Sequence, residues 1–563
     1  MRLENSVAVI KYLIASILVG VILGIGGAFA AQGFRSGIVI ISNYAEKLFG
    51  QDPNFFFYLI TLSVALILVH YSRSLVNGKP FQSVADSIYL AHKSNNETDL
   101  KVGFISTLAA FFSASGGASI GQYGPLVHFG TTLGAWLKKT VPFNFTPDLY
   151  IGAGVAASIS SGFGAPLAGL IFAHEAILRH YSHKSILAIA TASGISYAVS
   201  TGIWGDTNII KVSSENFNLL LMLVISFLAG PIFGLIAIIY MKSLLLFANL
   251  ANSPKVKVFY KYSFCILSLS IIGHFMPEVM GLGTETVSGI LYSSYTLIFL
   301  VIILLGKIIA TSISLNFGFF GGVFSPAILV GAAAGAVVSA FLVKLGIFED
   351  FQQALVISGI AAVAGAVIGA PICMVIIVLE LTNSYAYALA SLVGLAISVG
   401  YVQVRFGSSY FDVQLLNRGI DISDGRTGLF MTETDILRFA DPNFNTIKES
   451  ETVADAISLM SKIDQSELIV VNQSGEFVGK TNSLSLFNKQ GPLSSVDVID
   501  KDCVFIKHDA SVQSAMEIAS DFVGEIIPIV QTDQNKAVAI ITEGAIFQAY
   551  LSKQSQTVEM EKR

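Results

Sequence analysis

Hydrophobic positions along the chain fall into two regimes. From about Tyr12 to Ile420, long apolar runs recur between short polar joints. That pattern predicts bilayer-crossing helices, each needing about 20 apolar residues. The first run begins at Tyr12, and with Arg2, Lys11 and the triplet Ala28-Phe29-Ala30 it imitates a secretory leader. At about 20 residues it exceeds a leader's apolar core, so a spanning helix is expected instead. Two windows, residues 102–137 and 308–343, contain no Asp, Glu, Lys or Arg, yet glycine and proline interrupt both: "SGGASIGQYGPLVHFG" (115–130) and "NFGFFGGVFSPAILVG" (316–331). Lipid cannot satisfy freed N–H and C=O groups, so interrupted backbone at membrane depth has to be buried in protein or line a cavity. The interruptions therefore predict a pathway.

A repeat accompanies them. Pro125, Gly130 and Gly134 have the same spacing as Pro326, Gly331 and Gly335, and "GAPLAGLIFAHE" (164–175) matches "GAPICMVIIVLE" (369–380), each with a glutamate nine residues after its proline. The copies are offset by 201 and 205 residues. Interrupted helices at corresponding places in two halves point to a transporter or channel site at the repeat interface. One such motif alone is more simply read as helix packing by small residues, but two matched pairs favour the pathway. Past about Phe430 the pattern turns soluble. A helix-like stretch (452–463), "ELIVV", a polar turn and "EFVGKT" are followed about 60 residues later by a second helix (511–522), "EIIPIV" and "KAVAIIT". Two tandem helix–strand–strand units predict a small α/β pair. The expected organisation is a first membrane half (1–210), a second (211–425) and a soluble pair (426–563) with units at about 430–490 and 500–553.

Composition sharpens this. The chain is 53% hydrophobic and 13% charged, and 34 of its 71 charged side chains lie in the last 143 residues. A purely soluble enzyme is excluded. The net charge of -5 gives no basic footprint for nucleic acid. Cys265, Cys373 and Cys503 stand singly, without disulfide or zinc spacing. No nucleophile–base pair, phosphate loop or metal cluster marks the soluble part, so neither enzymatic activity nor a metal or cofactor is expected. The interrupted helices offer a different chemistry. A helix start exposes unpaired N–H groups and about half a positive charge, which holds anions without the full charge that would trap them.

"GQYGPLVHFG", "GFGAPLAGLIFAHE", "GGVFSPAILVGAAAG", "VLELTNSYAYAL" and "SSYFDVQLLNRGI" resemble, in order and spacing, the motifs of the CLC family of chloride channels and chloride/proton antiporters, over about residues 10–420. The tail resembles the paired CBS domains that many members carry. The resemblance implies a membrane all-α, two-repeat fold with broken helices and a C-terminal α/β CBS pair. It further implies a multi-pass inner (plasma) membrane protein with cytoplasmic CBS domains, a homodimer with one pathway per subunit, and chloride or another small anion as ligand.

Carried over residue by residue, the family pattern places Asn77 and Gly78 of "VNGKP" at the cytoplasmic anion site, with Lys79 either a solvated loop lysine or a group focusing anions at that mouth. The family's gating glutamate falls on Tyr123, followed by Gly124; a phenol with a reference pKa near 10 cannot trade places with an anion near neutral pH. The internal proton-relay glutamate falls on Ala176. Its neighbour Glu175, with Glu380 as counterpart, reads as a helix-end residue, or else with His174 as a substitute relay. His128 reads as a neutral core histidine or a proton carrier. Val323 and Phe324 would bind the central anion through backbone N–H groups, and the family's inner-gate tyrosine falls on Phe411 or, one residue earlier, Tyr410. Thr481 and Thr542 are followed three residues later by Leu484 and Ala545 instead of a ribose-binding Asp, so nucleotide at the CBS pair is doubtful. The expected function is a passive chloride channel. The alternatives are an antiporter using His174 or Glu175, and a non-conducting protein presenting its CBS domains.

Overall fold

The computed structural model describes residues 2–49, 54–93, 98–141, 143, 145–181, 184–205, 217–253, 256–292, 295–346, 351–423 and 425–562. They form two compact units, Met1–Ile420 and Asp421–Arg563. The first half of the N-terminal unit runs α1 (Arg2–Phe49), α2 (Phe55–Leu75), α3 (Val84–His92), α4 (Leu100–Ser115), α5 (Tyr123–Thr140), α6 (Pro147–Phe163), α7 (Pro166–Phe172), a π-helical turn (Ala173–Leu178) and α8 (Ile186–Trp204). The second half runs α9 (Leu219–Ala251), α10 (Val258–Phe275), α11 (Thr284–Leu291), α12 (Leu297–Phe317), α13 (Phe324–Lys344), α14 (Gln352–Ile368), α15 (Pro371–Thr382), α16 (Tyr385–Arg405) and α17 (Tyr410–Leu416). Among the described residues, eight helices are long and apolar enough to cross a bilayer.

The sequence repeat is also a packing repeat. Helix α1 lies on α8 and α6 as α9 lies on α16 and α14, and α5 lies on α6 as α13 lies on α14. At 48 residues, α1 is far longer than the apolar run from Tyr12 requires. Its glycines explain the continuation. A Cβ on Gly20 or Gly24 would stand 2.7 or 2.8 Å from a carbonyl oxygen of α8, so these positions let two backbones touch and the helix is carried along its neighbour.

The same logic accounts for the matched Gly130/Gly134 and Gly331/Gly335. A Cβ on Gly130 would sit 2.2 Å from the Gly154 oxygen, and one on Gly331 2.4 Å from the Gly359 oxygen. These glycines hold α5 on α6 and α13 on α14 at backbone contact; they are the frame of the pathway, and not its lining. Gly331→Ala is accordingly expected to destabilise the protein by about 1–3 kcal/mol through overpacking, read as a lowered melting temperature in detergent. Gly194→Ala, with nothing within 4 Å of the added carbon, is the control that should melt like the parent. The "GAP" motifs are punctuation. Gly164 (φ 71°) and Gly369 (φ 77°) close α6 and α14 in the left-handed conformation, and Pro166 and Pro371 open α7 and α15, where a missing N–H costs nothing.

The C-terminal unit contains two three-stranded sheets of the same topology. In one, β1 (Thr446–Lys448) pairs parallel with β2 (Glu467–Val471), which pairs antiparallel with β3 (Phe477–Asn482). In the other, β4 (Ile506–Lys507), β5 (Ile527–Gln531) and β6 (Lys536–Ile541) repeat that order. The predicted helix at 452–463 begins at Val453, because Thr452 and Asp455 form a reciprocal cap. That contact holds the Asp455 carboxyl below the usual carboxylate range.

Candidate anion pathway

The two interruptions meet. Gly121 N–H donates to the Gly322 oxygen (2.7 Å) and Gly322 N–H donates to the Gly121 oxygen (2.8 Å), as an antiparallel bridge. The two glycines occupy equivalent places in the halves, each two residues before a helix start (Tyr123 of α5, Phe324 of α13) and four before its proline (Pro125, Pro326), so the halves meet here at matched positions. Glycine is required at this contact, since a Cβ on Gly121 would lie 2.9 Å from the Gly322 oxygen.

Beside this bridge lies a cavity of about 130 Å³, and four helices begin at its wall: α3 at Ser83 and Val84, α5 at Gly124 and Pro125, α13 at Val323, and α17 at Tyr410 and Phe411. Helix starts present unpaired N–H groups and the positive end of the helix dipole, so their convergence makes a site for a small anion. Arg418 is the charged side chain among the lining residues. It donates one bond to Asp86 Oδ1 (2.8 Å), and a guanidinium has further donors to offer the cavity. Tyr240, from α9, donates its hydroxyl to the Val323 oxygen (3.2 Å) and so fixes the start of α13 from behind.

The structure brings Gly124, Val323, Tyr410 and Phe411 together at this cavity. Tyr410 and Phe411 both line it, so the inner position is shared. Asn77 and Gly78 are not brought there. They form the exposed turn that closes α2, with φ of 53° and 73°. The reason is local: the α3 start is set by Ser83 and Asp86, whose carboxylate accepts from Ser83 N (2.7 Å) and Ser83 Oγ (3.1 Å). The helix therefore begins at Val84, and the glycine turn lies upstream of it. Lys79 is exposed and paired with Asp99 at 2.7 Å, which offsets its charge.

Tyr123 opens α5, but its ring turns away from the polar cavity. It stacks on Phe163 (3.7 Å between centroids) and meets Phe324 edge-on (5.5 Å). Its hydroxyl is buried, and the residue lines a second cavity. Phe324 belongs to this cluster, and its side chain is not among the first cavity's lining.

Glu175 is a cap. Its two oxygens accept the N–H groups of Ile372 (2.9 Å) and Cys373 (2.7 Å) at the start of α15, while Glu380 returns the arrangement on Leu167 and Ala168 of α7 (both 2.8 Å). Both Glu175 oxygens are thereby engaged by backbone donors at a helix start. Ala176 is buried in the π-helical turn. His174 shares its Nδ1 with the His180 oxygen (3.0 Å) and stacks on Tyr181, with Nε2 buried and unbonded. His128 lies in a polar cluster, its Nδ1 2.8 Å from Ser87 Oγ and its Nε2 3.1 Å from Gln82 Oε1.

Four residues that shape the site were missed by sequence reasoning: Ser83, Phe163, Tyr240 and Arg418. Ser83 had a signal, "SVAD" before an apolar run, which is a helix-start signature. The others had none, because each reaches the site from a distant part of the chain.

Residues 60–403 match the family model for the voltage gated chloride channel, and residues 432–479 and 495–552 match the CBS domain. The chain is 23% identical over 580 residues to the chloride channel protein CLC-f of Arabidopsis thaliana, covering 97% of this chain and 70% of that one. It is 24% identical over 429 residues to the H(+)/Cl(-) exchange transporter ClcA of Vibrio vulnificus, covering 73% and 90%. Among solved structures, a slow cyanobacterial Cl-/H+ antiporter superposes with a TM-score of 0.64 at 20% identity, covering 72% of this chain and 98% of that one. With helix starts converging on a shared cavity and the family model covering most of the membrane unit, the chain belongs to the voltage-gated chloride channel (CLC) family and carries a pair of CBS domains.

Proposed function

We propose that this protein is a passive chloride channel which moves anions without stoichiometric proton exchange. The observation that carries the reading is that, among the described residues, no unbonded carboxylate stands at the positions where coupling would need one. Tyr123 occupies the gate position, Ala176 the internal one, and Glu175 has both oxygens on backbone donors. A side chain that does not titrate near neutral pH cannot couple a proton. In this reading the channel is a homodimer in the inner membrane, with one pathway per subunit and its CBS pair in the cytoplasm. That pair acts in contact or gating without a bound nucleotide.

An antiporter is the second reading, favoured by the buried, unbonded Nε2 of His174. Proteoliposomes with an outward chloride gradient and a pH electrode separate the two. The channel releases chloride with no uphill proton movement; sustained uphill proton uptake rejects it. Glu175→Gln refines the comparison. As a cap substitution it is expected to lower stability by about 1–2 kcal/mol and leave chloride flux in place, whereas loss of coupled proton movement in this variant would establish the antiporter.

A further inference from the structure

Two of the four helix starts at the polar cavity are capped in the same way, and each cap is held by an arginine from another part of the chain. At α3 the Asp86 carboxylate accepts from Ser83 N–H and Oγ through Oδ2, while Arg418 donates to its Oδ1. At α17 the Asp412 carboxylate accepts from Ser409 N–H (3.2 Å) and Oγ (2.7 Å) through Oδ2, while Arg179 donates to its Oδ1. Each aspartate thus uses one oxygen on its own helix and the other on a distant arginine. The contacts run in series. Arg179 closes the π-helical turn and grips the start of α17; Arg418, two residues past the end of α17, grips the start of α3.

Arg179 stands in a left-handed conformation (φ 57°) at the end of that turn, where glycine is the ordinary residue and a side chain is strained. The same six-residue turn carries Glu175, which caps α15, so one irregular segment holds two helix starts. The Arg179 and Asp412 side chains are 28% and 20% exposed. Solvent therefore screens them less than an ordinary surface pair, and loss of one partner leaves the other charge poorly compensated. Helix α17 spans only seven residues, too few to be held in place by its own hydrogen bonds. Its first two residues, Tyr410 and Phe411, line the cavity, whereas Arg179 and Asp412 are not among the lining residues.

We infer that Arg179 is a positioning residue of the anion pathway: through Asp412 it fixes the start of α17, and with it the Tyr410 and Phe411 wall and the place from which Arg418 reaches α3. The inference rests on the reading of the cavity as an anion path, and it is the same for a channel and for an antiporter. Without the clamp the short helix shifts, and its two aromatic residues no longer hold the wall at a width suited to chloride. A direct effect of charge on the anion behaves differently, because neutralising the arginine and neutralising the aspartate change the local charge in opposite senses. Positioning makes the two substitutions act alike.

The test uses the full-length protein in liposomes of phosphatidylethanolamine and phosphatidylglycerol, with Arg179→Gln, Asp412→Asn and Arg179→Lys compared for chloride and nitrate flux. Backbone hydrogen–deuterium exchange over residues 409–420 is followed in parallel by mass spectrometry. Both neutral variants are expected to raise the nitrate-to-chloride flux ratio about two- to fourfold, the worth of a partly screened ion pair, and to speed exchange over 409–420. Arg179→Lys, which keeps the charge, should stay close to the parent. The double variant Arg179→Gln/Asp412→Asn should shift the ratio no further than either single one, since one contact can be lost only once. Opposite shifts from the two single variants, or shifts that add in the double one, assign the effect to charge and overturn the clamp; so does unchanged exchange over 409–420 in Arg179→Gln. Should Asp412→Asn fail to fold, having weakened the cap as well, Arg179→Gln against Arg179→Lys carries the comparison. If the parent passes neither anion, the pathway reading fails, and the exchange measurement still decides whether Arg179 holds α17.

Discussion

Arg418→Glu is expected to lower chloride flux about fivefold or more at low ionic strength. The guanidinium is the charged group lining the cavity on which α3, α5, α13 and α17 converge. Reversing it changes the local charge by two. At a separation of about 8 Å, and with effective dielectric constants of roughly 20 to 80, each unit contributes about 0.5–2 kcal/mol to the energy of an entering anion. The reversal thus amounts to about 1–4 kcal/mol, while the contribution of the helix starts, about half a charge each, is the same in parent and variant. The competing explanation is structural, because Arg418 also holds Asp86, whose carboxylate caps α3. Salt separates the two. An electrostatic deficit shrinks as ionic strength rises and the Debye length falls from about 30 Å at 0.01 M to about 8 Å at 0.15 M. A displaced α3 would leave flux low at every salt concentration, and that outcome would remove Arg418 from the list of groups acting on the anion directly.

Tyr123→Glu is expected to convert a pH-insensitive pathway into an acid-activated one. In the parent, a phenol with a reference pKa near 10 keeps one protonation state between about pH 5 and 8, so flux should vary little over that range. A glutamate at the same helix start has a reference pKa near 4.3, raised by burial among Phe163 and Phe324. Above that raised value it is ionised and competes with chloride for the N–H groups at the starts of α5 and α13. Below it the carboxyl is neutral and leaves them free. Flux should therefore be lowest near pH 8 and climb about tenfold toward pH 5, the reverse of what an added fixed positive charge would produce. Stopped-flow chloride release at buffered pH measures it. A parent whose flux changes several-fold across the same interval contradicts the proposal, and points to another titrating group such as His128 or His174. Combining Tyr123→Glu with Ala176→Glu asks whether two carboxylates on this backbone suffice for coupled proton movement.

Much of the fold was legible because its signals are local and repeated. The interruptions at 115–130 and 316–331, the paired Gly-Ala-Pro motifs, and the matched glutamates Glu175 and Glu380 follow from how proline and glycine limit backbone geometry, and from the intolerance of lipid for unpaired N–H groups. The reading of Glu175 as a helix-end residue rested on its having a counterpart, and reciprocal capping is the geometry that such a pair makes. The glycines five and nine residues after each proline were read as part of a pathway motif. Their role in the structure is backbone contact between α5 and α6, and between α13 and α14. Sequence spacing cannot distinguish these uses, because both require only the missing Cβ. Asn77 and Gly78, assigned to the cytoplasmic anion site through the resemblance of "VNGKP" to the family pattern, lie in an exposed turn upstream of the α3 cap at Ser83 and Asp86.

By itself the sequence determined that this is a two-part membrane protein with duplicated, interrupted helices and anion-compatible helix starts. Those properties are carried by residue type and periodicity, which the chain states directly. Only the tertiary structure decided which helix starts face one another and that Arg418 lines their cavity. It also decided that the Tyr123 ring turns onto Phe163 and Phe324, into a separate chamber. Such facts depend on contacts between residues up to 200 or more positions apart, and on the direction in which a side chain leaves its helix, neither of which is encoded by any single segment.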